Sequence, residues 1–278
     1  MKQVIARITK NEHVAARYYK MRIESRYLAR DIKPGQFVQV KCSDMIYPLL
    51  RRPLGCHRIL KDGIEMLYEV VGKGTEILSK RKKGEFLDII GPLGNGFNIT
   101  RNPKPETRNP ILVAGGIGVA PLAALAEKLA YSVERIADRK RKKIYVLIGG
   151  KTKNHITCEN DFKKIGCKVY VSTEDGTKGR KGFVTDLLKT YLSAIRYPLS
   201  ATIYACGPTE MLKAVAQIAK AKQVPCQVLL EEHMACGIGA CLGCPVKVKA
   251  KYVVRNTNYE YKMVCKDGPV FDAEEIIW

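Results

Sequence analysis

Four cysteines crowd one end of the sequence. Cys236, Cys241 and Cys244 are spaced C-x4-C-x2-C, and Cys265 follows well downstream. This is the plant-type spacing of a [2Fe–2S] site, in which four thiolates converge on two irons and one tight loop supplies three of them. Gly237, Gly239 and Gly243 let that loop wrap closely and aim backbone N–H groups at the sulfurs, which stabilises added negative charge. A structural zinc site is the competing use of four cysteines, but it usually draws on paired C-x2-4-C knuckles, and here there is a single knuckle with an extra ligand. The other six cysteines (Cys42, Cys56, Cys158, Cys167, Cys206 and Cys226) are scattered. Lys2, Arg7 and Lys10 interrupt the first residues and no secretory h-region is visible, so the expected location is the cytoplasm. Disulfides are a poor explanation for ten cysteines there.

A second set of residues suits phosphates. Gly115-Gly116-Ile117-Gly118 follows a buried apolar run and precedes a helical pattern, so its N–H groups and a helix N-terminus would face an anion. A tight structural turn explains the same glycines nearly as well. Gly149-Gly150 and Cys206-Gly207-Pro208 also end strand-like runs, and ligands of open α/β sheets bind beyond the carboxyl ends of strands. Cys206 itself reads at least as well as a small buried strand-end residue. Earlier in the chain, Arg51-Arg52-Pro53-Leu54 offers a guanidinium that can fork onto a pyrophosphate. Gly72-Lys73-Gly74-Thr75 fits a further phosphate contact or, equally, a hairpin.

Three stretches must position these groups. Through about Asn102 the pattern alternates with a period of two, as in Val4, Ala6 and Ile8, Met21 and Ile23, or Val38 and Val40. Turn residues punctuate it at Pro34-Gly35, Asp62-Gly63 and from Gly91 to Gly96, which predicts an antiparallel barrel or sandwich. A polar linker at 102–110 leads to alternating strands (from Ile111, Ile144, Lys168 and Thr202) and helices (from near Pro121 and Thr209), the pattern of a doubly wound parallel sheet. The tail carries strand-like pieces at Val246–Lys249 and Tyr252–Arg255, too little for an independent core without a metal centre. The expected domains are 1–102, 103–224 and 225–278. With 278 residues, 46% hydrophobic and 27% charged, the chain is an ordinary globular protein, not a disordered or membrane one. Its longest uncharged run, Ile111–Ala126, falls short of the ~20 residues of a spanning helix. The net charge of +21 attracts anions in general, yet no nucleic-acid-binding signature accompanies basic runs such as Lys80–Lys83 and Arg139–Lys143.

The barrel with Arg-Pro-Leu, then Gly-Lys-Gly-Thr, the glycine turn up to Pro121, and Cys206-Gly207-Pro208 together resemble the ferredoxin–NADP reductase superfamily. The tail, with Glu231-Glu232-His233-Met234 before the cysteines, Cys265-Lys266-Asp267-Gly268-Pro269 after them and Trp278 beyond, is similar to the electron-transfer subunits of type B dihydroorotate dehydrogenases. That resemblance implies FAD, one [2Fe–2S] cluster, and electrons passed from the FMN of a separate catalytic subunit to NAD+ in pyrimidine synthesis, within a two-plus-two heterotetramer. Carried over by position, Arg52, Pro53, Leu54, Gly55, Glu69, Val70, Val71, Gly74 and Thr75 would bind FAD. Gly115, Gly116, Gly118, Cys206, Gly207 and Pro208 would face the nicotinamide nucleotide, and Cys236, Cys241, Cys244 and Cys265 would hold the cluster. Gly55 and Cys56 stand where the family has Ser and an aliphatic residue, and the segment between Cys244 and Cys265 is longer and more basic than the family's.

A nicotinamide accepts a hydride and a cluster passes single electrons, so a flavin must stand between them, and no catalytic side chain is expected because the cofactors carry the chemistry. The four histidines, His13, His57, His155 and His233, are scattered and none is read as a ligand. Glu174 and Asp175 would repel the 2′-phosphate of NADP, whereas Lys178, Arg180 and Lys181 would attract it; NAD is expected from the resemblance. Rival readings are a subunit passing electrons between NAD(P)H and ferredoxin or a sulfur-reducing partner, and an iron–sulfur sensor without hydride transfer.

Overall fold

The computed structural model describes residues 1–99, 109–134, 143–194, 201–254 and 257–278. The first ninety residues form β1 (Lys2–Ala15), β2 (Tyr18–Glu24), α1 (Arg26–Asp31), β3 (Phe37–Val40), β4 (Arg52–Ile59), β5 (Gly63–Glu69), α2 (Lys73–Lys80) and β6 (Phe86–Leu93). Their strands close into an antiparallel barrel in the order β1-β2-β5-β4-β3-β6. The two-residue alternation is the cause: Ala6, Ile8, Met21, Ile23, Val38 and Val40 all point into one core. Closure leaves no unpaired edge, so strands of modest length hold together. At Gly91, where the sequence suggests a turn, β6 instead continues to Leu93, because the missing side chain lets β6 lie against Val38.

The second sheet holds β7 (Asn109–Gly115), β8 (Tyr145–Gly150), β9 (Lys168–Thr173), β10 (Arg180–Lys181), β11 (Ala201–Cys206) and β12 (Cys226–Leu229). The helices between them are α3 (Val119–Glu134), α4 (Glu159–Lys164), α5 (Val184–Ala194) and α6 (Thr209–Ala221). Successive residues of β7 feed opposite cores. Ile111 and Val113 pack with Leu188 of α5 and Val215 of α6, while Leu112 and Ala114 pack with Leu125 of α3 and Phe162 of α4. Both faces are thus covered, as a parallel sheet requires. Helix α3 begins two residues before Pro121, directly from a 3-10 turn at Gly116–Gly118, and the proline still falls in the first turn, where its missing N–H costs nothing.

The tail contributes β13 (Pro245–Val254), β14 (Thr257–Met263) and β15 (Val270–Asp272). The sheet order is β10-β9-β8-β7-β11-β12-β15, with β15 antiparallel to β12. Cys244, Val264, Cys265, Phe271 and Ile276 belong to the same apolar cluster as Ile111 and Val215. The cysteine tail therefore draws on the core of the sheet, and does not rest on a metal alone. The two strand-like pieces of the tail are one strand, β13, with an irregular register between Lys249 and Val254 where the pattern breaks. Arg255, residues 102–108 of the linker and 139–142 of the second basic run lie outside the described residues. Among the described residues, no helix is long and apolar enough to cross a membrane.

Candidate functional site

A cavity of about 640 Å3 opens where the barrel meets the second sheet. Its barrel wall includes Arg52, Pro53, Leu54 and Gly55 on β4, with Glu69 at the end of β5 and Val71 and Thr75 beyond it. Val70 and Gly74 are not among the lining residues. The two adjacent arginines, indistinguishable by type, have different tasks. Arg51 turns away and binds Asp88 on β6, with Nη1 2.8 Å from the Asp88 carbonyl and Nη2 2.7 Å from its carboxylate. Burial pushes the Asp88 carboxyl up, but Arg51 and Gln3 outweigh it and hold the group below the usual range. That contribution is present above the ordinary Asp value and is lost as pH falls through the depressed one. Arg51→Ala is expected to lower stability by about 1 kcal/mol near neutral pH, less in acid, with flavin content unchanged, as read by thermal melting and the flavin spectrum.

Arg52 faces the cavity and lies against the start of α2. A Cβ on Gly74 would sit 2.6 Å from Arg52 Nε, so the glycine makes room for the guanidinium. The Gly72–Thr75 stretch is not a hairpin: it opens α2, with the Thr75 hydroxyl accepting from the N–H groups of Val71 (3.1 Å) and Gly72 (3.3 Å). A guanidinium and a helix N-terminus side by side on one cavity wall offer an anion site, which suits the pyrophosphate of FAD. Gly55 has open space around the position a Cβ would take, so the loss of the family's serine leaves the strand undisturbed.

A second cavity of about 690 Å3 lies over the carboxyl ends of the parallel strands, lined by Gly115 and Gly116, Gly149 and Gly150, and Gly207 and Pro208. The three glycine turns expected on one edge do converge. Cys206 and Gly118 stand behind this wall and do not line it. The Cys206 side chain is fully buried among Leu112, Ala114 and Leu229, and burial raises its thiol pKa, so it is a packing residue. A Cβ on Gly118 would fall onto the Cys206 carbonyl, so Gly118 permits the close approach of the two turns. Gly118→Ala is expected to cost about 1–3 kcal/mol and to raise the KM for NADH, measured by thermal melting and NADH-dependent dye reduction. Glu174 also lines the cleft. Of the basic residues that could favour a 2′-phosphate, Lys178 pairs with Glu159 at 2.5 Å and Arg180 donates to the Thr190 hydroxyl at 2.9 Å. Lys181 does not line the cleft, whereas Lys151 does, on the same wall as Glu174.

The two cavities share Glu69, Ile117 and Glu231. Glu231 was not singled out from sequence, although it begins the Glu231–Met234 stretch that precedes the cysteines. It is accessible through the cavity, yet protein surrounds it on its other sides, and this desolvation, with Glu69 nearby, raises its carboxyl pKa. His233 and Met234 extend the first cavity toward the cysteine loop.

In that loop the four thiols fit an iron–sulfur centre. Gly237 and Gly239 have φ of +72° and +82°, values a side chain would strain, and they turn N–H groups inward. Ile238 and Cys241 donate to Cys236 Sγ at 3.4 Å, Gly239 donates to Cys265 Sγ at 3.1 Å, and Cys265 donates to Cys244 Sγ at 3.4 Å. Burial raises the Cys236 thiol, but these donors bring it down to about 6, toward the thiolate a metal needs. Burial and the neighbouring Cys244 instead push Cys265 up to about 12. Cys241 is exposed while Cys244 and Cys265 are buried, so one side of the site faces outward, flanked by exposed Ile238 and Leu242. The loop presses on the barrel at Gln39 of β3, whose fully buried amide has no hydrogen-bond partner among the described residues; a Cβ on Gly237 would meet its Nε2 at 2.7 Å. Such an orphaned amide against Gly237, the residue after Cys236, fits a polar group bound in the loop.

Residues 231–277 match the family model described as the iron–sulfur cluster binding domain of dihydroorotate dehydrogenase B, and 112–217 match the oxidoreductase NAD-binding domain. A protein of Caldanaerobacter subterraneus subsp. tengcongensis called dihydroorotate dehydrogenase B (NAD(+)), electron transfer subunit, is 38% identical over 98% of both chains. One of the same name from Desulforamulus reducens is 38% identical over 95% of this chain and 94% of its own. Among solved structures, an NADH-dependent reduced ferredoxin-NADP oxidoreductase is similar with a TM-score of 0.79 and 30% identity, covering 99% of this chain and 90% of that one. A ferredoxin NADP+ reductase from Neisseria gonorrhoeae, 17% identical with a TM-score of 0.63, covers 80% of this chain and 92% of its own and shares the fold.

Proposed function

The chain belongs to the family of dihydroorotate dehydrogenase B electron transfer subunits, and from that membership we propose how its residues divide the task. It is the NAD-dependent, FAD- and [2Fe–2S]-carrying component of an oxidoreductase that works with a catalytic partner subunit in pyrimidine synthesis. Arg52 and the N-terminus of α2 hold the FAD pyrophosphate, and Pro53, Leu54, Gly55, Glu69, Val70 and Val71 shape the flavin side, with Gly74 making room for Arg52. Gly115, Gly116, Gly207 and Pro208 hold the nicotinamide nucleotide, braced by Gly118 and Cys206. Cys236, Cys241, Cys244 and Cys265 hold the cluster. A bound flavin supplies the exchange between one-electron and hydride chemistry; the protein's part is to position, desolvate and connect.

One observation carries this reading. The flavin and nucleotide cavities meet at Glu69, Ile117 and Glu231, and Cys236 follows Glu231 by five residues, so the three sites adjoin. The partner we infer is an FMN-bearing dihydroorotate-oxidising subunit in a two-plus-two assembly in the cytoplasm, docked over exposed Ile238, Cys241 and Leu242. The test is dihydroorotate-dependent reduction of NAD+ by the two subunits together, with NADH bleaching both flavin and cluster in this chain alone. Absence of the first with the second intact would remove the partner assignment only. The likeness to a ferredoxin-coupled oxidoreductase favours a second reading, in which reduced ferredoxin replaces dihydroorotate as donor. The same assay with ferredoxin as donor separates the two.

A further inference from the structure

Away from the cofactor cavities, four side chains converge at the junction of the barrel and the nucleotide sheet. His57 comes from β4, Glu65 from β5, Cys158 from the residue before α4 and Asp161 from α4 itself. One ligand atom each of His57, Cys158 and Asp161 lies within 4.8 Å of the others. Cys158 Sγ is 3.9 Å from His57 Nε2, and Glu65 Oε1 is 3.7 Å from that same nitrogen. Ligands of a tetrahedral zinc ion, at about 2.1 Å for nitrogen or oxygen and 2.3 Å for sulfur, stand about 3.5 Å apart.

The hydrogen bonds leave this set short of a cation. His57 Nδ1 lies 3.0 Å from the Ala120 carbonyl, an acceptor, so that nitrogen carries the proton and Nε2 presents its lone pair to the cluster. Glu65 is 1% exposed. Its Oε2 accepts from Arg22 at 2.5 Å, but its Oε1, facing the His57 lone pair, has no hydrogen-bond partner among the described residues. The Cys158 thiol, 3.9 Å away, is the one donor that reaches Nε2 among the described residues, and none reaches Glu65 Oε1, so this buried carboxylate oxygen facing a histidine acceptor costs free energy unless a positive group lies between them. Lys20 does not fill that role at the facing oxygen, because its ammonium binds Asp161 Oδ2 at 2.7 Å. Cys158 is held at φ +62°, a left-handed conformation that a non-glycine residue adopts at a cost of about 1 kcal/mol or more.

We propose that His57 Nε2, Cys158 Sγ, Asp161 and Glu65 Oε1 form a zinc site that staples the flavin barrel to the nucleotide sheet. One nitrogen, one thiolate and two carboxylate oxygens make a four-coordinate donor set suited to zinc and poorly suited to magnesium or calcium. The site is structural: His57, Cys158 and Asp161 already converge, and Glu65 Oε1, 3.7 Å from His57 Nε2 but outside the mutual 4.8 Å of the other three, closes in on the ion as the fourth ligand. The inference stands apart from the proposed function, since no donor or acceptor of electrons enters it.

The test starts from holoprotein with its cluster assembled, incubated with zinc chloride, desalted and analysed for metals. We expect one zinc per chain beside the cluster iron. Cys158→Ser and Glu65→Gln should each lose that zinc while keeping iron and flavin. X-ray absorption at the zinc edge of the wild type, which needs no variant to fold, should show one sulfur and three nitrogen or oxygen neighbours. Failure of the wild type to retain zinc would overturn the proposal. So would a four-sulfur shell, which places the zinc in the Cys236–Cys265 loop, or undiminished zinc in both variants.

Discussion

Arg52→Ala is expected to lower FAD affinity about 10–100-fold, the loss of one charge-assisted hydrogen bond at about 1.5–3 kcal/mol. Gel filtration followed by the visible spectrum should return a protein depleted of flavin with its iron unchanged. The effect is large because, in the proposed site, the guanidinium and the α2 N-terminus share one anion, and the helix alone is worth about 1 kcal/mol or less. Arg52→Lys should recover part of the affinity, since it keeps the charge and loses the fork. Gly74→Ala should mimic Arg52→Ala in weaker form, because its Cβ would sit 2.6 Å from Arg52 Nε and push the side chain off the cavity. Full flavin retention in both Arg52→Ala and Gly74→Ala would show that the pyrophosphate lies elsewhere.

The second large effect concerns Cys265. Cys265→Ser is expected to remove essentially all cluster iron and to abolish transfer from the catalytic partner, because a serine oxygen is a hard, weakly acidic replacement for a thiolate. NADH should still reduce the flavin, since the two cavities meet without the cysteine loop. The chain should stay folded at moderate temperature: β12 and β15 hold the tail in the sheet, and Phe271 and Ile276 stay packed in its core. Iron analysis, stopped-flow reduction by NADH and the coupled assay with the partner separate these outcomes. Simultaneous loss of NADH-driven flavin reduction would place the cluster on the path between nucleotide and flavin, against the order argued above.

Much of the site is legible in the sequence because its chemistry is local. Three cluster cysteines fall within nine residues, and the N–H groups that serve their sulfurs belong to the same loop. The glycine turns announce themselves because each ends a buried run of a parallel sheet, where topology leaves one edge for ligands. The two-residue period of the barrel is similarly plain, since each strand shows its inner face. The tail is where local reading stops. Nothing near Cys226 or Val270 says that β12 and β15 continue a sheet begun at Asn109, because that pairing joins residues far apart in the chain.

The amino-acid sequence by itself determined the kinds of chemistry available: thiolates at cluster spacing, phosphate-binding turns, and an order of barrel, parallel sheet and cysteine tail. Those follow from residue type and short-range spacing. Tertiary structure alone decided which of two adjacent arginines faces the cavity, because that depends on Asp88, on the strand beyond β3, lying within reach of Arg51. It decided that Lys178 and Arg180 are engaged elsewhere while Glu174 lines the nucleotide cleft. It also brought His57, Glu65, Cys158 and Asp161 together from two halves of the molecule, residues that in the sequence have nothing to mark them. The physical reason is the same in each case: a side chain's role is set by the partner within about 3–4 Å, and for these residues that partner is supplied by a distant strand or helix.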